Sequence, residues 1–75
     1  MIKLYTSNTC PKCVFIKGRL KDTGVDHEII NVDEVPEARE ALKEKGLSKL
    51  PIMEYDGAFI LEPAEMNAII EDETA

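Results

Sequence analysis

Two cysteines stand in this chain, and they stand together, in the run Cys10-Pro11-Lys12-Cys13. A thiolate is the reacting form of cysteine, and it is favoured where unpaired backbone N–H groups and a helix dipole meet it. Cys10 is the last residue before a segment with helical spacing, so it is read as the nucleophile. Pro11 suits a first helical turn, where its missing N–H is not needed, and it restrains the loop around Cys10. Cys13 falls one turn further on, on the same apolar stripe as Ile16 and Leu20. It is read as the buried, less acidic resolving thiol. The chemistry this spacing allows is a two-step disulfide exchange, in which Cys10 attacks a substrate disulfide and Cys13 then displaces the product from Cys10. Lys12, between the two, could add positive potential that tunes the thiolate's acidity and reduction potential.

The same spacing also supplies half of many zinc sites, which need four ligands. Here only the lone His27 could join Cys10 and Cys13, so metal binding would require two chains bridged through their cysteines or exogenous thiols. No bound metal or cofactor is expected. A loop closed by so short a disulfide constrains the unfolded chain little, so the pair is read as functional rather than as a staple.

These residues need a scaffold, and patterning along the 75 residues indicates one. Ile2-Lys3-Leu4-Tyr5 alternates as a strand and runs into the polar Thr6-Ser7-Asn8-Thr9. An amphipathic helix runs from Pro11 to the stop at Thr23-Gly24, and a second strand follows over Glu28 to Val32, making a βαβ unit. Pro36 opens a largely exposed helix with a narrow apolar face of Ala38, Ala41 and Leu42, ending at Gly46. Pro51 to Tyr55 and Ala58 to Leu61 flank Asp56-Gly57, the signal for a two-residue hairpin turn with positive φ. Pro63 starts a last helix with Met66, Ile69 and Ile70 on one side. The order is β-α-β-α-β-β-α in a single α/β domain over residues 1–75. The fold is expected to end near residue 71, leaving an acidic tail from about 72 in which Ala75 is the one apolar residue.

Composition narrows the setting. Hydrophobic residues make up 44% and charged residues 32%, the balance of a soluble domain. A formal net charge of −6 disfavours nucleic acid. There is no apolar run long enough for a membrane span, and Met1-Ile2-Lys3-Leu4-Tyr5 lacks the pattern of an export signal. The expectation is a cytoplasmic monomer in a reducing compartment, without membrane partners.

Taken together, Thr9-Cys10-Pro11-Lys12-Cys13 opening a helix, Asn31-Val32-Asp33-Glu34 closing the second strand and Leu50-Pro51 opening the third resemble a glutaredoxin over nearly the whole chain. The resemblance implies a thioredoxin fold, with a four-stranded mixed sheet flanked by three helices. It further implies a cis Pro51 beside the cysteines, with the Leu50 backbone free to pair with an extended substrate. Two features depart from glutathione-using members. Ser7 stands where a lysine or arginine commonly meets a glutathione carboxylate, and Ile60-Leu61-Glu62-Pro63 replaces the Gly-Gly pair at the γ-glutamyl site. Glutathione is therefore expected as a possible reductant but a poor ligand, because Glu62 repels anions and Pro63 offers no N–H. The pattern is similar to redoxins that take electrons from a thioredoxin reductase and reduce protein disulfides such as that of ribonucleotide reductase, although their aromatic-Gly-Arg-Pro stretch is absent. The competing expectation is a binding module of the same fold with inert cysteines.

Overall fold

The computed structural model describes residues 2–74. Seven elements follow in the order β1 (Ile2–Thr6), α1 (Pro11–Thr23), β2 (His27–Asn31), α2 (Pro36–Glu44), β3 (Ile52–Tyr55), β4 (Ala58–Ile60) and α3 (Pro63–Thr74). The sheet order is β2-β1-β3-β4. β1 pairs parallel with β2 and antiparallel with β3, and β3 pairs antiparallel with β4. This is the four-stranded mixed sheet with three helices of a thioredoxin fold.

Strand alternation divides the core between the two sheet faces. Ile2 and Leu4 of β1 and Met53 of β3 pack with Ile16 and Leu20 of α1 and with Met66 and Ile70 of α3. On the other face Ile52, the neighbour of Met53, packs with Val32 and with Leu42 of α2, and Tyr5 and Phe59 border this smaller cluster. β1 and β3 lie in the middle of the sheet, so Ile52 and Met53 are both buried although they point to opposite faces. The layers are thus α1 and α3, the sheet, and α2.

Local chemistry sets the boundaries. Gly24 ends α1 in the left-handed conformation at φ 70°, the usual glycine C-cap. Asp56 and Gly57 both have positive φ, 49° and 81°, and Tyr55 pairs directly with Ala58, so this is a two-residue type I′ hairpin.

Several boundaries and faces differ from the sequence reading: β3 starts at Ile52 rather than Pro51, and α2 ends at Glu44, before Gly46. β2 starts one residue earlier and ends at Asn31, with the Val32 N–H donating to the Thr6 carbonyl at 2.8 Å beyond the last strand pair. β4 stops at Ile60 and leaves Leu61 exposed. On α2 only Leu42 is buried, Ala38 is half-buried and Ala41 is exposed, because a single layer edge touches this helix. Asp72 and Glu73 are helical rather than a free tail. α3 runs to Thr74, whose hydroxyl donates to the carbonyls of Ile70 and Glu71 at 3.0 Å each, and the Tyr55 hydroxyl donates to Glu73. Ala75 lies outside the described residues.

Candidate active site

The parallel pairing of β1 and β2 delivers the cysteine loop to one end of the sheet. Thr6, the last residue of β1, pairs with Asn31, the last of β2, so the loops leaving both strands emerge side by side. Residues 7–10 cross from β1 to α1, and Cys10 occupies the N-cap with extended backbone, φ −106° and ψ 95°. Its Sγ accepts the Cys13 N–H at 3.3 Å, and its carbonyl accepts the same N–H at 3.2 Å. A sulfur here faces the free amides and positive end of α1, whose first turn carries no acidic side chain.

Cys10 is half-buried and Cys13 fully buried, and the two are joined in a disulfide with Cα atoms 5.3 Å apart. Cys13 is held in place by the stripe it shares with Ile16 and Leu20, all three facing the core. Pro11 is the first residue of α1 and Lys12 the second, and both are exposed. The Leu50–Pro51 peptide is cis, Pro51 is buried, and Leu50 precedes β3 without belonging to a strand. Leu50, Lys49, Ser48 and Lys12 share with Cys10 an open depression of about 480 Å³. The sequence-expected residues Cys10, Cys13, Pro11, Lys12 and Leu50-Pro51 therefore converge on one end of the sheet. A larger depression of about 660 Å³ lies between α1 and α3, lined in part by Phe15 and Asn67, and contains neither cysteine.

His27 does not join the cysteines. It pairs with Ile2 at the start of the parallel strands, the end opposite the cysteine loop, and its Nδ1–H donates to the Val25 carbonyl at 2.7 Å. Among the described residues no three His, Cys, Asp or Glu side chains form a group able to hold a metal. Ser7 is half-buried and lines the Cys10 depression. Glu62 caps α3 through its carbonyl, which accepts the Met66 N–H at 3.1 Å, and Pro63 is the first residue of that helix.

One feature of the site escaped the sequence reading. The Asn8 N–H donates to Asp33 Oδ2 at 2.8 Å, and Asn31 Nδ2 donates to Asn8 Oδ1 at 2.7 Å. The Asp33 N–H closes an Asx turn on Asn31 Oδ1 at 2.9 Å, and Arg39 of α2 pairs with Asp33 Oδ1. The loop carrying Cys10 is thus tied to the turn after β2 and, through Arg39, to α2. The Asn8 amide, helped by Arg39, holds the Asp33 carboxyl below its ordinary range, against a smaller opposing effect of desolvation. The local Asx turn is recognisable in Asn31-Val32-Asp33, but its link to Asn8 crosses 25 residues and has no local signature.

The glutaredoxin family profile matches residues 2–60. The glutaredoxin-like protein NrdH of Escherichia coli K12 is 46% identical over 52 residues, which span 69% of this chain and 64% of that protein. A glutaredoxin-like protein encoded in the rubredoxin operon of Clostridium pasteurianum is 35% identical over 74 residues, covering 95% of this chain and 99% of its own. The solved structure of the Escherichia coli NrdH-redoxin, a glutaredoxin-like protein described by a thioredoxin-like activity profile, superposes with a TM-score of 0.79 at 37% identity, covering 91% and 92% of the two chains. With its cysteine pair at the N-terminus of α1 and this element order, the chain belongs to the glutaredoxin family.

Proposed function

We propose that this chain is a thiol-disulfide oxidoreductase, a single-domain, monomeric dithiol electron carrier that reduces protein disulfides in the cytoplasm. The observation that carries the reading is Cys10 at the N-cap of α1, within bonding reach of the buried Cys13. In the reduced protein the Cys10 thiolate attacks one sulfur of a substrate disulfide. The substrate S–S bond breaks, a mixed disulfide forms, and the departing substrate thiolate takes up a proton. Cys13 then loses its proton and attacks Cys10 Sγ, which expels the second substrate thiolate and leaves the Cys10–Cys13 disulfide. Solvent supplies the remaining proton, so the substrate gains two electrons and two protons while the protein loses two electrons and the Cys13 proton, and an external thiol reductant restores the reduced pair.

The burial difference assigns the roles, since a nucleophile must be reachable and a resolving thiol needs only to reach Cys10. Pro11 shapes the first turn, and Lys12 adds positive potential beside the sulfur. Leu50, ahead of cis Pro51, offers backbone groups to an extended substrate segment, because it is not consumed by a strand. The likeness to NrdH supports ribonucleotide reductase as a substrate, and the thioredoxin-like activity profile of the similar Escherichia coli NrdH-redoxin supports a thioredoxin reductase as the donor. Ser7, Glu62 and Pro63 at the usual glutathione contacts argue against tight glutathione binding.

The test is NADPH consumption by the oxidised protein in two arms, one with thioredoxin reductase and one with glutathione and glutathione reductase. Turnover in the first arm alone is expected. Turnover only with glutathione would overturn the donor assignment, and silence in both arms, with Cys10 and Cys13 intact, would overturn the carrier reading.

A further inference from the structure

The chain carries fifteen acidic against nine basic side chains, yet the depression around Cys10 contains Lys12 and Lys49 and no carboxylate. Its remaining polar side chains are the hydroxyls of Ser7, Thr9 and Ser48. Both lysines are exposed, and among the described residues neither is engaged by an ion pair. Asp33, which anchors the loop that carries Cys10, is already occupied by the Asn8 amide and Arg39. Glu62 follows Leu61, which borders Lys49 and Ser48 from the other side, but it makes no ion pair with Lys49. The positive end of α1 adds to the same field. The surroundings of the nucleophile are therefore locally basic on an acidic protein.

From this arrangement we propose that Lys12 and Lys49 select the substrate, favouring protein disulfides whose flanking residues are Asp or Glu. The inference rests on the redox reading above and specifies its substrate class. A substrate sulfur brought to Cys10 carries its neighbours along the 480 Å³ depression, whose lining includes both Lys12 and the Lys49-Leu50 segment. Charges one residue from the sulfur then lie within the screening length of about 8 Å at physiological ionic strength. The rest of the surface, with its excess of carboxylates, disfavours acidic segments that dock anywhere else. Each lysine contact, being solvated, is worth a factor of about two to five, so the pair should separate acidic from neutral substrates by about tenfold.

The experiment uses the reduced full chain and three fluorogenic peptides of equal length, each with one disulfide flanked by Asp and Glu, by Ser and Thr, or by Lys. Glutathione disulfide serves as a fourth substrate. Second-order rate constants are measured by stopped flow at low salt and at about 1 M salt, where screening shortens to about 3 Å. The wild type should favour acidic over neutral over basic peptides, with the order collapsing in high salt. K12E/K49E should invert the order and K12Q/K49Q should flatten it, with circular dichroism checking the fold of each. The ratio of acidic to neutral rates is the readout, because any change in Cys10 acidity scales all peptides together. Equal rates for the three peptides in the wild type, or an unchanged ratio in K12E/K49E, would overturn the selectivity while leaving the redox reading in place. Faster reduction of glutathione disulfide than of the acidic peptide would overturn the assignment to protein segments. Reduction of none of the four would overturn the redox reading and the selectivity with it.

Discussion

Helix α1 positions the reactive pair, so its seating on the sheet is the natural place to perturb. Leu20 is 0% exposed and lies in the main cluster with Ile2, Leu4, Ile16, Met53, Met66 and Ile70. Phe15, on the same helix, is 76% exposed. Truncating a buried leucine removes its transfer free energy and leaves a cavity, so Leu20→Ala should cost about 3 kcal/mol. A domain of this length has a total stability of roughly 4–11 kcal/mol, so the loss is a large share. In a domain this small each kcal/mol moves Tm by about 4–8 °C, which places the shift at roughly 12–24 °C. Phe15→Ala removes a larger side chain but almost no buried contact, and should change stability by about 0.5 kcal/mol or less. The chain has no tryptophan, so thermal unfolding of the oxidised proteins is best followed by far-ultraviolet circular dichroism. Well below its Tm, Leu20→Ala should retain turnover, since it touches neither cysteine. A Leu20→Ala shift no larger than that of Phe15→Ala would refute the assignment of the α1 face to the core.

Other expectations follow from the same geometry. Cys10→Ser should abolish disulfide turnover, whereas Cys13→Ser should accumulate a mixed disulfide with substrate, visible by mass spectrometry; turnover surviving in Cys10→Ser would remove Cys10 as nucleophile. Mild oxidation should hide two thiols reversibly, and retention of both would favour a binding module with inert cysteines. The Asp33 carboxyl is held below its ordinary value, so its anchoring of the cysteine loop is present above the unfolded-state pKa and is lost as pH falls through the lower folded value. The Asn8 amide resonance should report this as an acid titration that Asp33→Asn abolishes, and a pH-independent Asn8 signal in the native protein would contradict it. Burial, reinforced by its hydrogen bond to Glu54 at 2.9 Å, pushes Tyr5 up from its usual 10.0 to about 12. Its contribution to stability is complete below pH 10 and fades as pH rises toward 12, so Tyr5→Phe should flatten the alkaline decline in Tm over that window.

Much of this protein is written locally. The cysteine spacing, Pro11 at a first helical turn, the Thr23-Gly24 stop and the Asp56-Gly57 turn each depend on residues a few positions apart, and each appears in the structure where the sequence indicates. The element order follows from the same short-range signals. Helix faces were legible where burial is deep, as in Cys13, Ile16 and Leu20, and failed where a helix touches the core along one edge, as in Ala41 of α2. The acidic run Asp72-Glu73 looked like a tail because nothing nearby in sequence holds it. Tyr55, 18 residues away from Glu73, supplies a partner only once the hairpin and α3 have packed. Residue type and spacing alone determined the reactive pair and the elements around it. Tertiary structure alone decided which distant groups surround that pair: Asn8 on Asp33, Arg39 on the same carboxylate, and Lys49 beside Lys12 and Cys10. The reason is physical. Turns and helix ends are short-range preferences of the backbone, whereas the field and anchoring around Cys10 come from segments that meet only when β1 pairs with β2 and β3.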